Sequence, residues 1–173
     1  MTFFGIEGYE PRWLSGRGAI TAAHGARLAA LAGRRLSHAW LAWDLDDDSW
    51  FADCPVLLDF SGEQVELCHW KFDELSITWN TIRPAATPTW TDGGEPPFRL
   101  AWRDDARAGP AGLRGRDLAS VELLAWAGAD LAHGMVAPRF VFAGGDSVAV
   151  SNGLDENALE FGAPDPAYRA HPL

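Results

Sequence analysis

The stretch Leu31-Ala-Gly-Arg-Arg-Leu-Ser-His-Ala-Trp-Leu41 returns 82 residues later as Leu113-Arg-Gly-Arg-Asp-Leu-Ala-Ser-Val-Glu-Leu123. Leu31, Gly33, Arg34, Leu36 and Leu41 are matched by Leu113, Gly115, Arg116, Leu118 and Leu123. At the same spacing Phe60, Asp73 and Glu74 come back as Phe142, Asp155 and Glu156, and Val65 returns as Val148 after a one-residue slip. A fixed internal period marks a repeated structural unit. It predicts pseudo-repeats over 31–82 and 113–164, joined by a Pro/Gly-rich connection over 83–112, within one domain of residues 1–173.

Working outward, each half reads as strands. Leu36 to Trp43 runs into the acidic loop Asp44–Ser49, and Ser76 to Ile82 alternates through Ile77, Trp79 and Thr81. Between them Val56–Phe60 and Val65–Trp70 flank Ser61-Gly62, a two-residue hairpin signal. If those two residues form the turn, facing positions have numbers summing to 123. Leu58 then faces Val65, Val56 faces Leu67, and Cys54 lies opposite His69, with Cys68 on the other face. The second half repeats the pattern at Asp117–Trp126, Arg139–Phe142, Ser147–Ser151 and Ala158–Phe161, with Gly144-Gly145-Asp146 as a hairpin loop. Phe98–Trp102 reads as an extra strand, 103–112 as a loop, and the Pro-rich tail from Pro164 has no period. Ala19–Leu31 has helical spacing through Ile20, His24, Leu28 and Leu31 and stops at Gly33. The expected fold is mainly β: two four-stranded halves closed as a barrel or packed as a two-sheet sandwich, with a short N-terminal helix.

At 173 residues and 47% hydrophobic, the chain can bury a continuous core. Nine Trp and nine Phe make large rings carry much of it. Phe3 and Phe4 are expected to dock the N-terminal segment, Trp43, Trp79 and Trp126 to enter the core, and Trp70 and Trp90 to be more exposed. No apolar run approaches the ~18 residues of a membrane span, and no basic start leads into an apolar segment, so a cytoplasmic protein is expected. The two cysteines lack CxxC spacing for zinc. Net charge is −10, and no Lys or Arg occurs from Leu36 to Trp70. That window holds Asp44, Asp46, Asp47, Asp48, Asp53, Asp59, Glu63 and Glu66, a balance that repels nucleic-acid phosphates and attracts a basic protein or a cation.

Two constellations bear on chemistry. Cys54 opposite His69, with Asp73 four residues beyond to orient the ring, resembles an activated thiol, although a small buried hydrophobe and a strand-end histidine account for it as well. The matched pairs Asp73-Glu74 and Asp155-Glu156 follow the third strand of each half. Brought together by a pseudo-axis with His69, Asn152 and Asn157, they would offer acid–base groups or an oxygen-rich seat for a divalent metal; as turn caps they would be structural. Asp44-Leu-Asp-Asp-Asp48 lacks the glycine and later glutamate of a calcium loop. No phosphate-binding glycine loop and no G-x-S-x-G elbow occurs, so no organic cofactor is expected.

The segments Phe72-Asp-Glu-Leu-Ser-Ile-Thr-Trp-Asn80 and Gly153-Leu-Asp-Glu-Asn-Ala-Leu-Glu-Phe-Gly162 resemble uncharacterised small acidic proteins of high-GC actinobacteria. The resemblance brings no activity, cofactor or partner. The leading expectation is an acidic cytosolic binding protein that recognises a basic protein partner through Asp44, Asp46, Asp47, Asp48 and Trp70, an immunity protein against a toxin being one instance. The alternative is a small-molecule or divalent-metal-dependent enzyme using Asp73, Glu74, Asp155 and Glu156, with His69 as auxiliary base.

Overall fold

Ser61 and Gly62 both take left-handed backbone, φ 55° and 93°, which gives the two-residue turn a twist that suits a hairpin. The strands it joins pair Val56 with Leu67, Leu58 with Val65 and Phe60 with Glu63, the register expected from the turn. The structure, a computed structural model, describes residues 5–90 and 97–173; Phe3, Phe4 and the Trp90 side chain lie outside what is described.

In chain order the described residues form β1 (Trp13–Ser15), α1 (Arg17–Ala29), β2 (Leu36–Asp44), β3 (Ser49–Trp50), β4 (Val56–Phe60), β5 (Glu63–Trp70), β6 (Glu74–Trp79), β7 (Thr89–Trp90) and β8 (Phe98–Arg103). There follow α2 (Ala108–Leu113), β9 (Leu118–Trp126), β10 (Val136–Phe142), β11 (Ser147–Asn152), β12 (Asn157–Phe161) and β13 (Tyr168–Pro172). They build two antiparallel sheets. One runs β1-β6-β5-β4-β2-β8-β7, with β3 on β2, and the other runs β12-β11-β10-β9-β13. Both orders are open, so of the two architectures expected the closed barrel does not form. Each sheet contains a four-strand meander laid down in the same chain order, β2-β4-β5-β6 in one and β9-β10-β11-β12 in the other.

The two sheets meet where the opening stretch meets its echo. Gly33 N–H donates to Leu118 O (2.7 Å) and Gly115 N–H to Leu36 O (2.8 Å). Leu36 N–H donates to Arg116 O (2.9 Å) and Leu118 N–H to Arg34 O (2.8 Å). Between the sheets lies one apolar core. Leu36, Leu41, Val56, Phe60, Val65, Leu67 and Ile77 face Leu118, Val121, Leu123, Phe140, Phe142, Val148 and Val150, and Ile20 and Leu28 of α1 close one flank. Phe60 stacks between Phe140 and Phe142, with ring centroids 5.7 and 6.4 Å away.

The outer face of the first sheet is covered too. Cys54, Leu57, Cys68, Leu100 and Trp102 pack under Ile6, Tyr9 and Ile82. β5 is therefore buried on both faces: Val65 and Leu67 face the inner core, while the alternating polar residues Gln64 and Glu66 are buried as well. The tail from Pro164, whose sequence has no period, forms a strand, because Tyr168–Pro172 pairs with β9 along its free edge. Two expectations are corrected. Residues 103–112 hold the start of α2, whose Pro110 sits in the first turn, where no intrahelical N–H is required. Trp43, Trp79 and Trp126 lie at the margins of the fold rather than in its core, their indole N–H groups donating to Asp48, His24 and Asp130; among the described side chains the buried tryptophan is Trp102.

Candidate functional site

β5 ends at Trp70, and the turn to β6 lies against the turn between β11 and β12. Asn157 holds the two sheets together here. Its Oδ1 accepts from His69 N–H (2.8 Å), and its Nδ2 donates to Ala52 O and Cys54 O (2.9 Å each). Asn152 Nδ2 donates to Lys71 O at 2.7 Å, and Lys71 N–H donates to Asp155 Oδ1. The matched turns thus meet, although backbone amides and carbonyls occupy most of the polar groups that face each other.

His69 is buried between the sheets, its Nε2 2.9 Å from Val150 O. A carbonyl only accepts, so Nε2 carries the proton and Nδ1 is a bare acceptor, buried without a partner. Burial pulls the imidazole down to about 4, against the raising effect of the Val150 bond. Val150 is free to serve this role because of Pro138. Phe142 N–H bonds Asp146 O, and stepping back along β10 two residues at a time, through Phe140 opposite Val148, places Pro138 opposite Val150 at a bonding position. Proline has no N–H to offer there.

The thiol–imidazole pair does not form. The β4–β5 ladder ends at Val56, short of Cys54, and the Cys54 side chain packs with Cys68 in the outer cluster, on the far side of β5 from the His69 ring. Both cysteines are free and fully buried, and burial raises both thiols, Cys68 to about 12. Glu74 pairs with Lys71 (3.2 Å), and Asp73 is exposed in the 71–73 turn. Asp155 and Glu156 lie close enough to Asp53 to raise its carboxyl together with burial, which is the larger cause. Among the described residues no group of three or more His, Cys, Asp or Glu is arranged to hold a metal ion.

The acidic run separates into buried anchors and exposed loops. Asp44 is buried and caps its own turn, accepting from Asp46 N–H (2.9 Å) and Asp47 N–H (3.2 Å). Glu66 is fully buried beneath the 81–82 segment and accepts from Gln64 Nε2 (3.0 Å), Thr81 N–H (2.7 Å), Ile82 N–H (2.8 Å), Thr81 Oγ1 (2.5 Å) and Thr78 Oγ1. Sequence reading counted Glu66 only as negative charge; the cue that it is structural is its place in a strand flanked by apolar residues. Asp46 pairs with Arg99 at 2.6 Å, and Trp70 is half-buried, edge-on to Trp13 at 5.1 Å. Asp44 and Trp70 are therefore not open contact groups.

What remains open at this end of the sandwich is Asp47, Asp48, Asp73, Asp155 and Glu156, with Asp53 half-buried, and none of the six has a cationic partner among the described residues. Exposed apolar side chains stand among them: Leu45, Phe72, Phe98 and Leu154, the last 81% exposed. Leu154 and Asp155 are both left-handed at φ 70°, a conformation that costs a residue with a Cβ. The basic half of the repeated motif lies at the opposite end, where Arg35 and Arg114 pair with Asp117 and Asp104 at 3.0 and 3.3 Å. The arrangement is an antiparallel two-sheet protein with an acidic, apolar-tipped end. No helix among the described residues is long and apolar enough to cross a membrane. Comparison with protein-family models, with curated proteins and with solved structures finds no match.

Proposed function

We propose that the chain is a non-enzymatic binding protein whose acidic end recognises a basic protein partner, with inhibition of a basic active site, as an immunity protein does, as its concrete form. We further propose that the two meanders descend from one duplicated unit. The observation that carries the binding reading is Leu154: an exposed leucine in a costly backbone conformation, followed in the chain by Asp155 and Glu156, whose charges also reach Asp53. Exposed apolar groups within a field of one charge suit a partner that carries an apolar socket with a basic rim. The catalytic and metal-dependent alternative has no comparable observation in its favour.

The test is affinity capture from a native lysate with the wild-type chain, an Asp155→Lys/Glu156→Lys variant, and Asp105→Lys as a control placed outside the acidic loops. The expected partner is basic, leaves at raised ionic strength, is lost by the double variant and is retained by the control. A partner held equally by all three proteins, independent of salt, overturns the proposal.

A further inference from the structure

A second site, independent of the acidic end, lies where β1 stops pairing with β6. Their ladder ends at Trp13 opposite Ser76, and Arg12 N–H turns to the Ser76 hydroxyl (2.9 Å) instead of continuing it. The chain comes back against this edge at Gly8, beside Thr81 just past the end of β6. There a Cβ would sit 2.6 Å from Thr81 O, and φ is +82°, so glycine permits the close approach. Between these two points residues 8–12 form a strap that stands off β6, and α1 supplies the facing wall. The groove so enclosed has a volume of about 420 Å³.

Its polar lining is weighted toward donors. Asn80 N–H bonds Gln64 O on the β5 side, so ladder alternation turns the backbone N–H and C=O of Ile77 and Trp79 toward the groove. His24 Nδ1 accepts from Trp79 Nε1 (3.2 Å), which leaves the imidazole proton on Nε2. Arg27 pairs with Glu63 (2.7 Å) and lies over the Trp79 ring, 4.5 Å from its centroid. The Arg12 guanidinium is exposed and has no ion-pair partner among the described residues. Glu10 is the one carboxylate of the lining.

We propose that this groove binds a small molecule through an oxyanion, a carboxylate or a phosphate monoester, held by the Arg12 guanidinium, the His24 Nε2–H and the backbone N–H groups of Ile77 and Trp79. Glu10 at the mouth then favours a ligand with a hydroxyl or ammonium group beside the oxyanion. The groove is built in a chain whose acids far outnumber its bases, 24 to 14, so gathering two guanidinium groups and an imidazole around one opening runs against composition.

NMR titration of the full chain with inorganic phosphate, with acetate and with chloride at matched ionic strength tests the assignment. Expected are saturable shifts at the His24 ring, the Trp79 indole and the Ile77 and Trp79 amides with phosphate, acetate or both, and none with chloride. The responding arm tells a phosphate ligand from a carboxylate. Burial and Arg27 lower the His24 pKa, and a bound anion raises it again. Arg12→Gln, at an exposed position that leaves the fold intact, is expected to weaken binding about tenfold, the worth of one charge-assisted hydrogen bond. Absence of saturable shifts with either anion, or equal affinity in Arg12→Gln, overturns the assignment.

Discussion

Arg35 and Asp117, 82 positions apart in the chain, are antiparallel bridge partners whose side chains also pair, Nε to Oδ1 at 3.0 Å. The backbone bonds around them come in two matched sets: Gly33 to Leu118 answers Gly115 to Leu36, and Leu36 to Arg116 answers Leu118 to Arg34. Shifting each donor by the repeat length and exchanging the halves converts one set into the other. The seam between the sheets is thus made by the very residues that recur in the sequence. Both glycines are needed for backbone reasons, with φ +86° at Gly33 and +82° at Gly115, and a Cβ at either meets nothing within 4 Å.

That combination makes a clean measurement. Gly33→Ala and Gly115→Ala each add a methyl group to open space, so the whole cost is conformational, about 1–2 kcal/mol per site. Urea unfolding is expected to show similar losses for the two variants. A cost at one position and none at the other would mean that the seam bonds are not energetically equivalent, whatever their geometry.

Glu66 offers a second test, because its carboxylate accepts from five donors with no cation nearby. In Glu66→Gln the carbonyl can keep the Oε1 donors, and the amide can donate to Thr78 and Thr81 hydroxyls, which accept as readily as they donate. The expected cost is about 1–2 kcal/mol. Glu66→Ala strands every donor in the buried site and is expected to cost about 3–5 kcal/mol, with faster hydrogen exchange at Thr81 and Ile82. Equal losses for the two variants would show that the carboxylate's charge, rather than its acceptor geometry, matters.

His69 links stability to pH. Its ordinary value of 6.5 applies to the unfolded chain, and the folded chain holds it near 4. Between those values the unfolded state binds a proton that the native state refuses, so stability is full above about 6.5 and falls as pH drops toward 4. The effect is on the order of 3 kcal/mol at its limit. His24, also lowered, adds in the same sense, while Asp53, raised, acts in the opposite one. His69→Gln keeps a donor for Val150 O and removes the imidazole. Its unfolding free energy is expected to depend less on pH across this window than the wild type's, and an unchanged slope would rule His69 out as the source.

Much of this architecture was legible because it rests on local rules. Ser61-Gly62 set the β4–β5 register to the residue, and the repeat placed β9 to β12 within a few positions of their observed ends. What the sequence hid is set at long range. Cys54 left its expected place because the ladder stops at Val56: Asn157 Oδ1 takes the His69 N–H, and Cys54 N–H turns to Phe51 O. The polar junction was anticipated as a set of residues, but not its chemistry, since Asn157 and Asp155 spend their oxygens on the backbone N–H groups of His69 at the end of β5 and Lys71 in the turn after it, more than 80 positions away. The tail became a strand only because β9 had a free edge to complete, a fact that no periodicity within 168–172 records. Charge counting misjudged Asp44 and Glu66 for a related reason: whether a carboxylate is a surface feature or an internal anchor depends on which segment folds over it.

Leu154 separates stability from recognition. At φ 70° and 81% exposure it contributes little packing while bearing a conformational cost. Leu154→Gly removes both the strain and the apolar tip, and is expected to leave stability unchanged or raise it by up to about 1 kcal/mol. The same variant is expected to bind the captured partner more weakly by about tenfold, because a leucine seated in an apolar socket is worth roughly 1.5–3 kcal/mol. Thermal unfolding and partner affinity, measured on one preparation, are expected to move apart. If the variant is destabilised, then Leu154 packs against something that matters to the fold; if it binds as tightly as the wild type, the acidic end does its work without its apolar tip.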